Sequence, residues 1–433
     1  MKKLLSLFLS VCCTLPLTAC SGKTAETAPS TTTSALTLPP ITEPAPLTDK
    51  ERMLAVGKGG YIYNGLGEEV VLKGINLGGW LLQETWMCAV TGSECNLDSI
   101  HLLESRGFTE EQIRTLFLSY ADNYITEWDI KNIASMGMNC IRLPFWYRNF
   151  MDDNLNFYTD DPDENPGFQL MDRLIDWAEQ YNLYVILDMH GCPGGQSTNH
   201  CCGTLNQNEL YTVEANQAAM ERLWVAIAER YKNSGTVAAY DIMNEPMNND
   251  TALENGWAPG SEIALRYTHA VYDRMYKAIR KVDATHMISV EGIWSGDCLP
   301  DPAKYGWENM LYQMHLYDST TDMIDYRVGE LVALRDKYGV AIYVGEFNNG
   351  DELYTYALDL YAKHKISRTA WTYKITYDYW GNWSIYRANL APADLANDSY
   401  EEILDKWGKE LQTKSVGWTV NVTLKNWLRK NYR

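Results

Sequence analysis

The sequence predicts an α/β protein whose single domain is a (β/α)8 TIM barrel, preceded by a small N-terminal β-hairpin. Three observations support this prediction: short apolar runs recur eight times, helical patterns lie between most of them, and the runs end in polar side chains. Strands that alternate with helices are expected to be parallel, with right-handed crossovers. A doubly wound open sheet would give fewer units and usually a glycine-rich phosphate turn, which the sequence lacks.

The predicted barrel strands are apolar without polar alternation, as expected when both faces of a strand are buried. In chain order they are Val71–Leu77, Cys140–Phe145, Tyr184–His190, Val237–Glu245, Met287–Glu291, Leu311–Tyr317, Ala341–Glu346 and Thr369–Lys374. The helical patterns are Thr126–Met136, Phe168–Tyr181, Val213–Tyr231, Ile263–Val282, Ile324–Tyr338 and Glu352–Lys363. Before the strands, Tyr61–Tyr63 and Val70–Leu72 flank an Asn64–Gly65 turn, and this hairpin should close one end of the barrel.

Residues 1–19 have the order of an export signal, with Lys2-Lys3, an apolar stretch Leu4–Leu17 and small residues before Cys20. The segment resembles a bacterial lipoprotein signal peptide. That resemblance implies cleavage before Cys20, a lipid on its thiol and a protein held by this anchor on the outer face of a bacterial cell membrane. The alternative is an ordinary secretory peptide, which would leave the protein secreted.

Residues 20–50 are rich in Thr, Ser, Pro and Ala, so we expect a flexible stalk that cannot bury enough surface to fold. Residues 51–433 suit one barrel domain with extended loops, and we expect a monomer. No stretch beyond the signal is apolar for long enough to span a bilayer. The formal net charge of −19 makes nucleic acid an unfavourable partner.

The cysteines predict loop cross-links in an oxidising compartment. Of the ten cysteines, seven follow the signal and stalk, so at least one should stay free. Cys88 is close in sequence to Cys95, and Cys192 is close to Cys201 and Cys202, so either loop could carry a disulfide. A metal site is the rival interpretation, but no Cys-x-x-Cys motif or suitably spaced His pair supports it.

Polar residues mark the C-terminal ends of the predicted strands, where a barrel of this type carries its active site. Two of them, Glu245 and Glu346, each close an apolar run. Two carboxylates from separate parallel strands can lie on either side of one glycosidic bond, as retaining sugar hydrolysis requires. The other polar residues at these ends are Asn76, Arg142, His190, Asn244, His315, Tyr317 and Trp371.

The ordered residues at the strand ends resemble the pattern of glycoside hydrolase family 5, the cellulase-like family, across most of residues 60–375. They are Arg142, His190, Asn244-Glu245-Pro246, His315-x-Tyr317, Glu346 and Trp371. Within that family, the segments Lys73–Leu81 and Asp188–Gln196 are similar to the exo-β-1,3-glucanase branch. The resemblance implies a glycosidase that needs no metal and no organic cofactor.

By this resemblance Glu346 is the nucleophile and Glu245 the acid/base. Arg142 and Tyr317 would keep Glu346 ionised and oriented, while repulsion by Glu346 and partial burial would raise the pKa of Glu245. The remaining members would bind the sugar: Asn244 its 2-hydroxyl, His190 and His315 a sugar hydroxyl or the acid/base, and Trp371 the flat apolar face of the ring.

Glu84 is the residue that separates exo from endo action, because in the exo-glucanase branch an acid at this place grips hydroxyls of a terminal sugar. Fungal members of that branch also carry entrance phenylalanines after the third and sixth strands. The corresponding segments 197–202 and 317–320 have none, so the next sugar must be held differently. Candidate aromatic platforms are Trp294, Trp307, Tyr379, Trp380 and Trp383.

The sequence therefore predicts a retaining β-glycosidase that removes glucose from the ends of β-glucans or β-linked oligosaccharides. Two alternatives remain open. One is an endo-β-glucanase with an open cleft that cuts β-1,4 or mixed-linkage polymers. The other is a non-catalytic surface lipoprotein that only captures glycans, although such a protein would have no need for the two glutamates and the residues that tune them.

Overall fold

The computed structural model describes residues 47–248, 260–293, 295–376, 383–415 and 417–432. Its centre is a closed barrel of eight parallel strands in chain order, in which the last strand pairs with the first. The (β/α)8 prediction is therefore confirmed. The strands are β4 (Lys73–Asn76), β5 (Cys140–Trp146), β6 (Tyr184–Gly191), β7 (Val237–Asp241), β8 (Met287–Glu291), β9 (Met310–Leu316), β10 (Ala341–Phe347) and β11 (Ser367–Ala370).

Two strand boundaries differ from the prediction in ways that affect the site. Strand β7 ends at Asp241, so Glu245 lies in the following segment and has a backbone φ of +38°. Strand β11 begins at Ser367 and ends before Trp371. The apolar residues that follow each strand end are buried at the rim, which explains why the apolar run is longer than the hydrogen-bonded ladder.

An antiparallel sheet of three short strands covers the N-terminal end of the barrel. Its strands are β1 (Ala55–Val56), β2 (Ile62–Tyr63) and β3 (Glu69–Val70), and β2 with β3 form the predicted hairpin. Ile62 packs with barrel residues such as Met287 and Leu311 in one buried cluster. The fold begins before residue 51, because Thr48 caps a one-turn helix at Asp49–Arg52 inside the predicted stalk.

The helices pack around the barrel in the order expected from the sequence, with additions in the first βα connection and at the C-terminus. They are α1 (Asn96–Ser105), α2 (Glu110–Tyr124), α3 (Glu127–Ser135), α4 (Pro166–Gln180), α5 (Glu214–Tyr231), α6 (Glu262–Arg280), α7 (Thr321–Tyr338), α8 (Asp351–Lys363), α9 (Tyr400–Lys406) and α10 (Val422–Tyr432). None of the helices that the structure describes combines the length and apolar character of a membrane span.

Helix α10 resolves the role of the C-terminal tail. It packs beside α8, where Trp427 stacks on Tyr354 with ring centroids 5.7 Å apart. Its last turn is tied to the first barrel strand, since Lys73 Nζ donates to Tyr432 O at 2.8 Å and Tyr432 Oη donates to Gly74 O at 3.2 Å. The tail thus takes the place of the eighth barrel helix rather than packing beneath the barrel.

The predicted disulfides are absent, because all seven cysteines in the described part of the chain are free thiols. Cys88 and Cys95 are both buried, and burial raises the pKa of each to about 12. The Cys88 thiol lies 3.8 Å from Gly79 O, and Tyr120 Oη lies 3.5 Å from its sulfur. The Cys202 sulfur likewise faces carbonyl oxygens at 3.1 and 3.2 Å. These cysteines are therefore small core side chains with local partners.

Candidate active site

Arg142 organises the C-terminal rim of the barrel. Arg142 is the last residue of β5 that pairs with β4, where it lies opposite Asn76. Its side chain is fully buried. Its guanidinium contacts polar groups from four other strands, at distances of 2.9 to 3.2 Å: Asn76 Oδ1, Asp188 Oδ1, Asp241 Oδ2, Asn244 Oδ1 and Glu346 Oε1. A buried guanidinium needs such a complete set of partners, and the set fixes the rim in one arrangement.

Asn76, predicted as a supporting residue, lies beneath the rim and holds it together. It is fully buried, and its amide Nδ2 is within 3.0 to 3.3 Å of the carbonyl oxygens of Gly345, Thr369 and Ala370. Its Oδ1 accepts from Arg142 at 3.2 Å. Asn76 therefore positions Arg142 and has no polar atom left for a sugar.

Glu346 is held by two donors, one on each carboxylate oxygen. Arg142 Nη1 donates to Oε1 at 2.9 Å, and Tyr317 Oη donates to Oε2 at 2.6 Å. Burial of the Tyr317 hydroxyl, together with the neighbouring Glu346 charge, raises the pKa of Tyr317 well above its usual range, so this hydroxyl stays a donor. The two contacts fix the orientation of the Glu346 carboxylate.

Glu245 has different surroundings. Its Oε1 lies 3.0 Å from His315 Nδ1, and its Oε2 lies 3.7 Å from the thiol of Cys201. Burial raises the pKa of Glu245, while the charges of His190 and Arg142 act in the opposite direction. The expected increase is thus present, but burial rather than repulsion by Glu346 is its main cause.

The two glutamates approach each other across His315. The same His315 Nδ1 lies 3.0 Å from Glu245 Oε1 and 3.5 Å from Glu346 Oε2, so these two oxygens are at most about 6.5 Å apart, the sum of the two distances. Burial lowers the pKa of His315 to about 4, so the ring is neutral near pH 7. A neutral imidazole adds no positive charge between the two carboxyl groups.

A third glutamate, Glu291 at the end of β8, was not recognised as a site residue in the sequence. It is buried, and its Oε2 accepts the backbone N–H of Glu245 at 2.7 Å. Burial and the neighbouring Glu245 raise the pKa of Glu291 well above its usual range. The signal was available, because Glu291 closes an apolar run just as the other two glutamates do. It holds the backbone of Glu245 at its unusual positive φ.

A hydrogen-bond chain orients Asn244. His190 Nδ1 lies 2.7 Å from Asp188 Oδ2, so Nδ1 carries the proton and Nε2 is an acceptor. Asn244 Nδ2 faces that Nε2 at 3.4 Å, while Asn244 Oδ1 accepts from Arg142 at 3.0 Å. Burial lowers the pKa of His190 to about 4 and raises that of Asp188 to about 7. The amide N–H of Asn244 is therefore turned to the same side as His190.

Aromatic rings cover the rim. Trp371 stacks on His190 with centroids 5.5 Å apart and an interplanar angle of 12°. Trp383 lies 5.7 Å from the Tyr317 ring and 5.4 Å from Trp86. These rings provide flat apolar surfaces next to the carboxylates, which suits the C–H faces of a sugar.

Glu84 belongs to this site. It is buried, and its Oε2 accepts from Trp86 Nε1 at 2.7 Å. Burial raises the pKa of Glu84 to about 8, and the charges of Glu346 and Glu245 act in the same direction. Near neutral pH Glu84 therefore carries a proton and can both donate and accept a hydrogen bond.

Of the other aromatic residues predicted as sugar platforms, one can be judged from the structure and three lie outside its described residues. Trp307 is no sugar platform, because it is buried against Tyr305 and donates from Nε1 to Asp273 Oδ1 at 3.1 Å. Its sequence signal was only its position in a loop, which does not separate core rings from exposed ones. Trp294, Tyr379 and Trp380 lie outside the described residues, as do Cys20, the signal peptide and most of the stalk.

Three of the rim residues are also of types that bind metals. Possible ligand atoms of Glu245, Glu291 and His315 lie within 4.8 Å of one another. Hydrogen bonding accounts for this cluster, since His315 Nδ1 faces Glu245 Oε1 and Glu291 Oε2 accepts the Glu245 N–H.

Comparison with known proteins identifies the class. The family model described as cellulase, glycosyl hydrolase family 5, matches residues 103–383. An endocellulase of Pyrococcus horikoshii has the same fold, with a TM-score of 0.55 and 18% identity over 89% of this chain and all of that one. The chain belongs to glycosyl hydrolase family 5.

Three curated relatives carry different names. The sequence is 31% identical over 257 residues to a β-xylosidase of Phanerodontia chrysosporium (58% of this chain, 49% of the relative). It is 29% identical over 248 residues to endoglucanase C of Acetivibrio thermocellus (57% of each) and 26% identical over 307 residues to a probable glucan 1,3-β-glucosidase A of Neosartorya fischeri (66% of each). The chain thus spans about half to two thirds of the length of these relatives.

Proposed function

We propose that the protein is a retaining O-glycosyl hydrolase that cleaves β-glucosidic bonds in β-glucans or β-linked oligosaccharides and acts from chain ends. The observation that carries this proposal is that the carboxyl groups of Glu245 and Glu346 face each other across His315 at the barrel rim. Their facing oxygens are no more than about 6.5 Å apart. Retaining enzymes hold the two carboxyl groups about 5–5.5 Å apart and inverting enzymes about 6.5–9.5 Å apart, so an upper bound at the lower end of the inverting range favours retention.

In the first step, the Glu346 carboxylate attacks the anomeric carbon and forms a glycosyl ester. Arg142 and Tyr317 orient it for this attack. Glu245, which burial keeps protonated to higher pH, donates its proton to the departing glycosidic oxygen. The bond to the leaving group breaks as the bond to Glu346 Oε forms, so charge and protons balance.

In the second step, Glu245 is a carboxylate and accepts a proton from water, which attacks the same carbon and releases Glu346. The ester has no negative charge, so less repulsion opposes ionised Glu245. The Asn244 amide N–H, oriented by Arg142 and His190, is placed to donate to the 2-hydroxyl of the sugar. Such a contact strengthens as the oxocarbenium-like state forms.

Action from a chain end is supported by Glu84 and the rings beside it. A protonated, buried carboxyl next to Trp86 offers a donor and an acceptor to the hydroxyls of a terminal sugar. The named relatives include both an endoglucanase and a probable glucan 1,3-β-glucosidase. An endo-β-glucanase with an open cleft is therefore the second candidate.

The location and the partners are also proposals. The signal-like residues 1–19 and Cys20 support export and a lipid anchor at Cys20 on the outer face of a bacterial membrane. There the enzyme would meet extracellular β-glucans as a monomer. A glycan receptor without catalysis would need neither Glu245 nor Glu346, nor the buried groups that give them different surroundings.

The test is a timed product analysis of the purified protein on laminarin, mixed-linkage β-glucan and carboxymethylcellulose. Glucose as the sole early product supports action from chain ends, and the polymer from which glucose is released fastest gives the preferred linkage. Early oligosaccharides of mixed size would show that the enzyme cuts within chains, as an endo-β-glucanase does. Absence of any release from these polymers and from aryl β-glycosides would refute glycosidase activity.

A further inference from the structure

A second cavity, of about 150 Å³, lies outside the barrel rim. Its walls come from the segment after β4, from α1 and α2, from residues 146–158 after β5 and from the start of α4. Among the described residues, neither of the two candidate catalytic glutamates lines it. It is therefore separate from the site at the strand ends.

The buried part of the lining carries polar groups that lack partners. Gln83 is 2% exposed, and within the described residues neither its Oε1 nor its Nε2 makes a hydrogen bond of acceptable geometry. The Tyr120 hydroxyl donates its proton to Gly79 O at 2.6 Å, and its oxygen is close enough to accept a weak contact from one N–H of Gln83 Nε2. The second N–H and Oε1 of Gln83 have no partner among the described residues. The indole Nε1 of Trp146 is also buried and has no acceptor among the described residues. An unpaired buried amide costs about 1–3 kcal/mol unless a ligand or water satisfies it.

Arg148 adds a third donor to the wall. The residue is 9% exposed, and its Nη1 forms an ion pair with Asp153. Its Nε, however, has no hydrogen-bond acceptor in the described part of the chain. The wall thus combines N–H donors from an indole and a guanidinium with an amide that can both donate and accept.

The mouth of the cavity is charged but nearly balanced. Arg148 is paired with Asp153, and Arg114 lies 3.8 Å from Glu110 and 6.0 Å above the Tyr158 ring. Glu104 is the remaining charge there. With both arginines offset by acids and one acid in excess, the mouth gives no attraction for an anion.

The apolar part of the lining is aromatic and aliphatic, with Trp80, Phe117 and Leu118 facing the same space. A sugar ring has this dual character, since its C–H groups contact apolar side chains while its hydroxyls donate and accept. A hydrocarbon would leave the Gln83 amide unpaired, and a carboxylate would meet the excess acid.

From these observations we infer that this cavity is a second, non-catalytic binding site for one neutral hexopyranose unit. The Gln83 amide and the Trp146 and Arg148 N–H groups are shielded in the structure, and they bind its hydroxyls when these side chains turn towards the cavity. The inference does not rest on the proposed reaction, because the site would bind sugar whether or not the rim hydrolyses glucan.

The test separates this site from the rim by using a Trp371→Ala background, which removes the aromatic surface next to Glu245 and Glu346. Binding of methyl β-D-glucopyranoside is measured by ligand-observed NMR and calorimetry. We expect binding in the Trp371→Ala protein with a Kd of about 1 mM, the range of a few hydrogen bonds and one ring contact. Adding Gln83→Leu should weaken it at least about tenfold, the loss of roughly 1.4 kcal/mol.

Two further variants control the experiment. Leu118→Trp fills the cavity from its partly buried wall without touching Gln83 and should also abolish binding. Gln180→Leu makes the same chemical change on the exposed end of α4 and should leave binding unchanged. Circular dichroism and thermal unfolding verify that each protein is folded.

Hydrogen–deuterium exchange gives a readout that needs no change in the wall of the cavity. The sugar should slow exchange in α1 and α2, which wall the cavity, in the parent and in Trp371→Ala alike. Sugar binding of undiminished strength in folded Gln83→Leu and Leu118→Trp proteins would overturn the inference, as would unchanged exchange in α1 and α2. Binding of the apolar dye 1-anilinonaphthalene-8-sulfonate in place of the sugar, lost in Leu118→Trp, would also overturn it.

Discussion

Glu346 lies in β10 and Glu245 follows β7 at the same rim of the barrel, yet their surroundings are opposite. Glu346 accepts from the Arg142 cation and from the Tyr317 hydroxyl. Glu245 has a neutral imidazole and a thiol as its side-chain neighbours, and burial raises its pKa. Opposite surroundings of this kind allow one rim to give two carboxyl groups different roles.

The backbone repeats this contrast. Glu346 lies inside strand β10 and pairs with His315 of β9, directly after a shift in register at Gly345. Glu245 lies beyond the end of β7 with a φ of +38°, and its N–H is held by the Glu291 carboxyl. The nucleophile candidate is therefore placed by the barrel itself, and the acid/base candidate by a third glutamate.

The largest expected effect comes from removing each glutamate in turn. Glu346→Ala should lower kcat on an aryl β-glucoside by about 10⁴-fold or more, since no group then forms the covalent intermediate. Azide should restore turnover in both Glu346→Ala and Glu245→Ala, for different reasons. In Glu346→Ala it replaces the missing nucleophile and should give the α-glycosyl azide. In Glu245→Ala it attacks the ester on Glu346 in place of water, which needs a general base, and should give the β-glycosyl azide. The reverse pair of anomers would show that the roles are exchanged; Glu308→Ala, an exposed change, is the control.

Arg142→Met should be the next most severe change. It leaves Asp188, Asp241 and Glu346 buried without their shared cation, so we expect the free energy of unfolding to fall by about 3–5 kcal/mol. Chemical denaturation measures this loss. Arg173→Met, which breaks a partly exposed pair with Asp122, should cost less than about 1 kcal/mol. Equal losses in both variants would contradict the central place of Arg142.

Glu291 offers a matched pair of changes. Glu291→Leu removes the acceptor for the Glu245 N–H, and we expect kcat to fall about 10- to 100-fold as that backbone relaxes. Glu291→Gln keeps a carbonyl acceptor and should retain most of the activity. The acid limb and alkaline limb of the kcat/KM pH profile should shift in Glu291→Leu, which a purely structural loss would not produce. Similar activity in both variants would remove Glu291 from the account.

The smallest effect concerns Glu84 and the pH dependence of stability. Its folded-state pKa of about 8 lies above the ordinary glutamate value of 4.5. The protonated carboxyl therefore stabilises the fold fully below about pH 4.5, and this stabilisation is lost as the pH rises towards 8. Glu84→Gln stays neutral, so its Tm should fall less than that of the parent between pH 5 and 8. Parallel Tm curves for the two proteins would refute the raised pKa.

The fold was predictable because each unit repeats the same pattern of an apolar run and an amphipathic helix. Helices α1 and α2 are not among the predicted helices. Both lie inside the long connection between the first two barrel strands, outside the repeating strand–helix pattern. The positive φ of Glu245 was also beyond prediction, since the apolar run continues past the hydrogen-bonded end of β7.

At the site, residue types at strand ends predicted which side chains meet, and the structure brings Arg142, His190, Asn244, Tyr317 and Trp371 around the two glutamates. Which polar atoms remain free for a sugar depends on contacts between distant segments. Asn76 shows the limit, because its amide is used up by three carbonyl groups. The cavity beside Gln83 likewise depends on how distant segments pack, so no local sequence motif predicts it.

The most direct test of the central claim is the pKa of Glu245, measured from the carboxyl ¹³C chemical shift of labelled glutamate, with the signal assigned by its loss in Glu245→Gln. We expect Glu245 to titrate clearly above the ordinary value of 4.5, because it is buried beside a neutral histidine. A value at or below 4.5 would mean that it is ionised at neutral pH, and the assignment of Glu245 as the proton donor would be wrong.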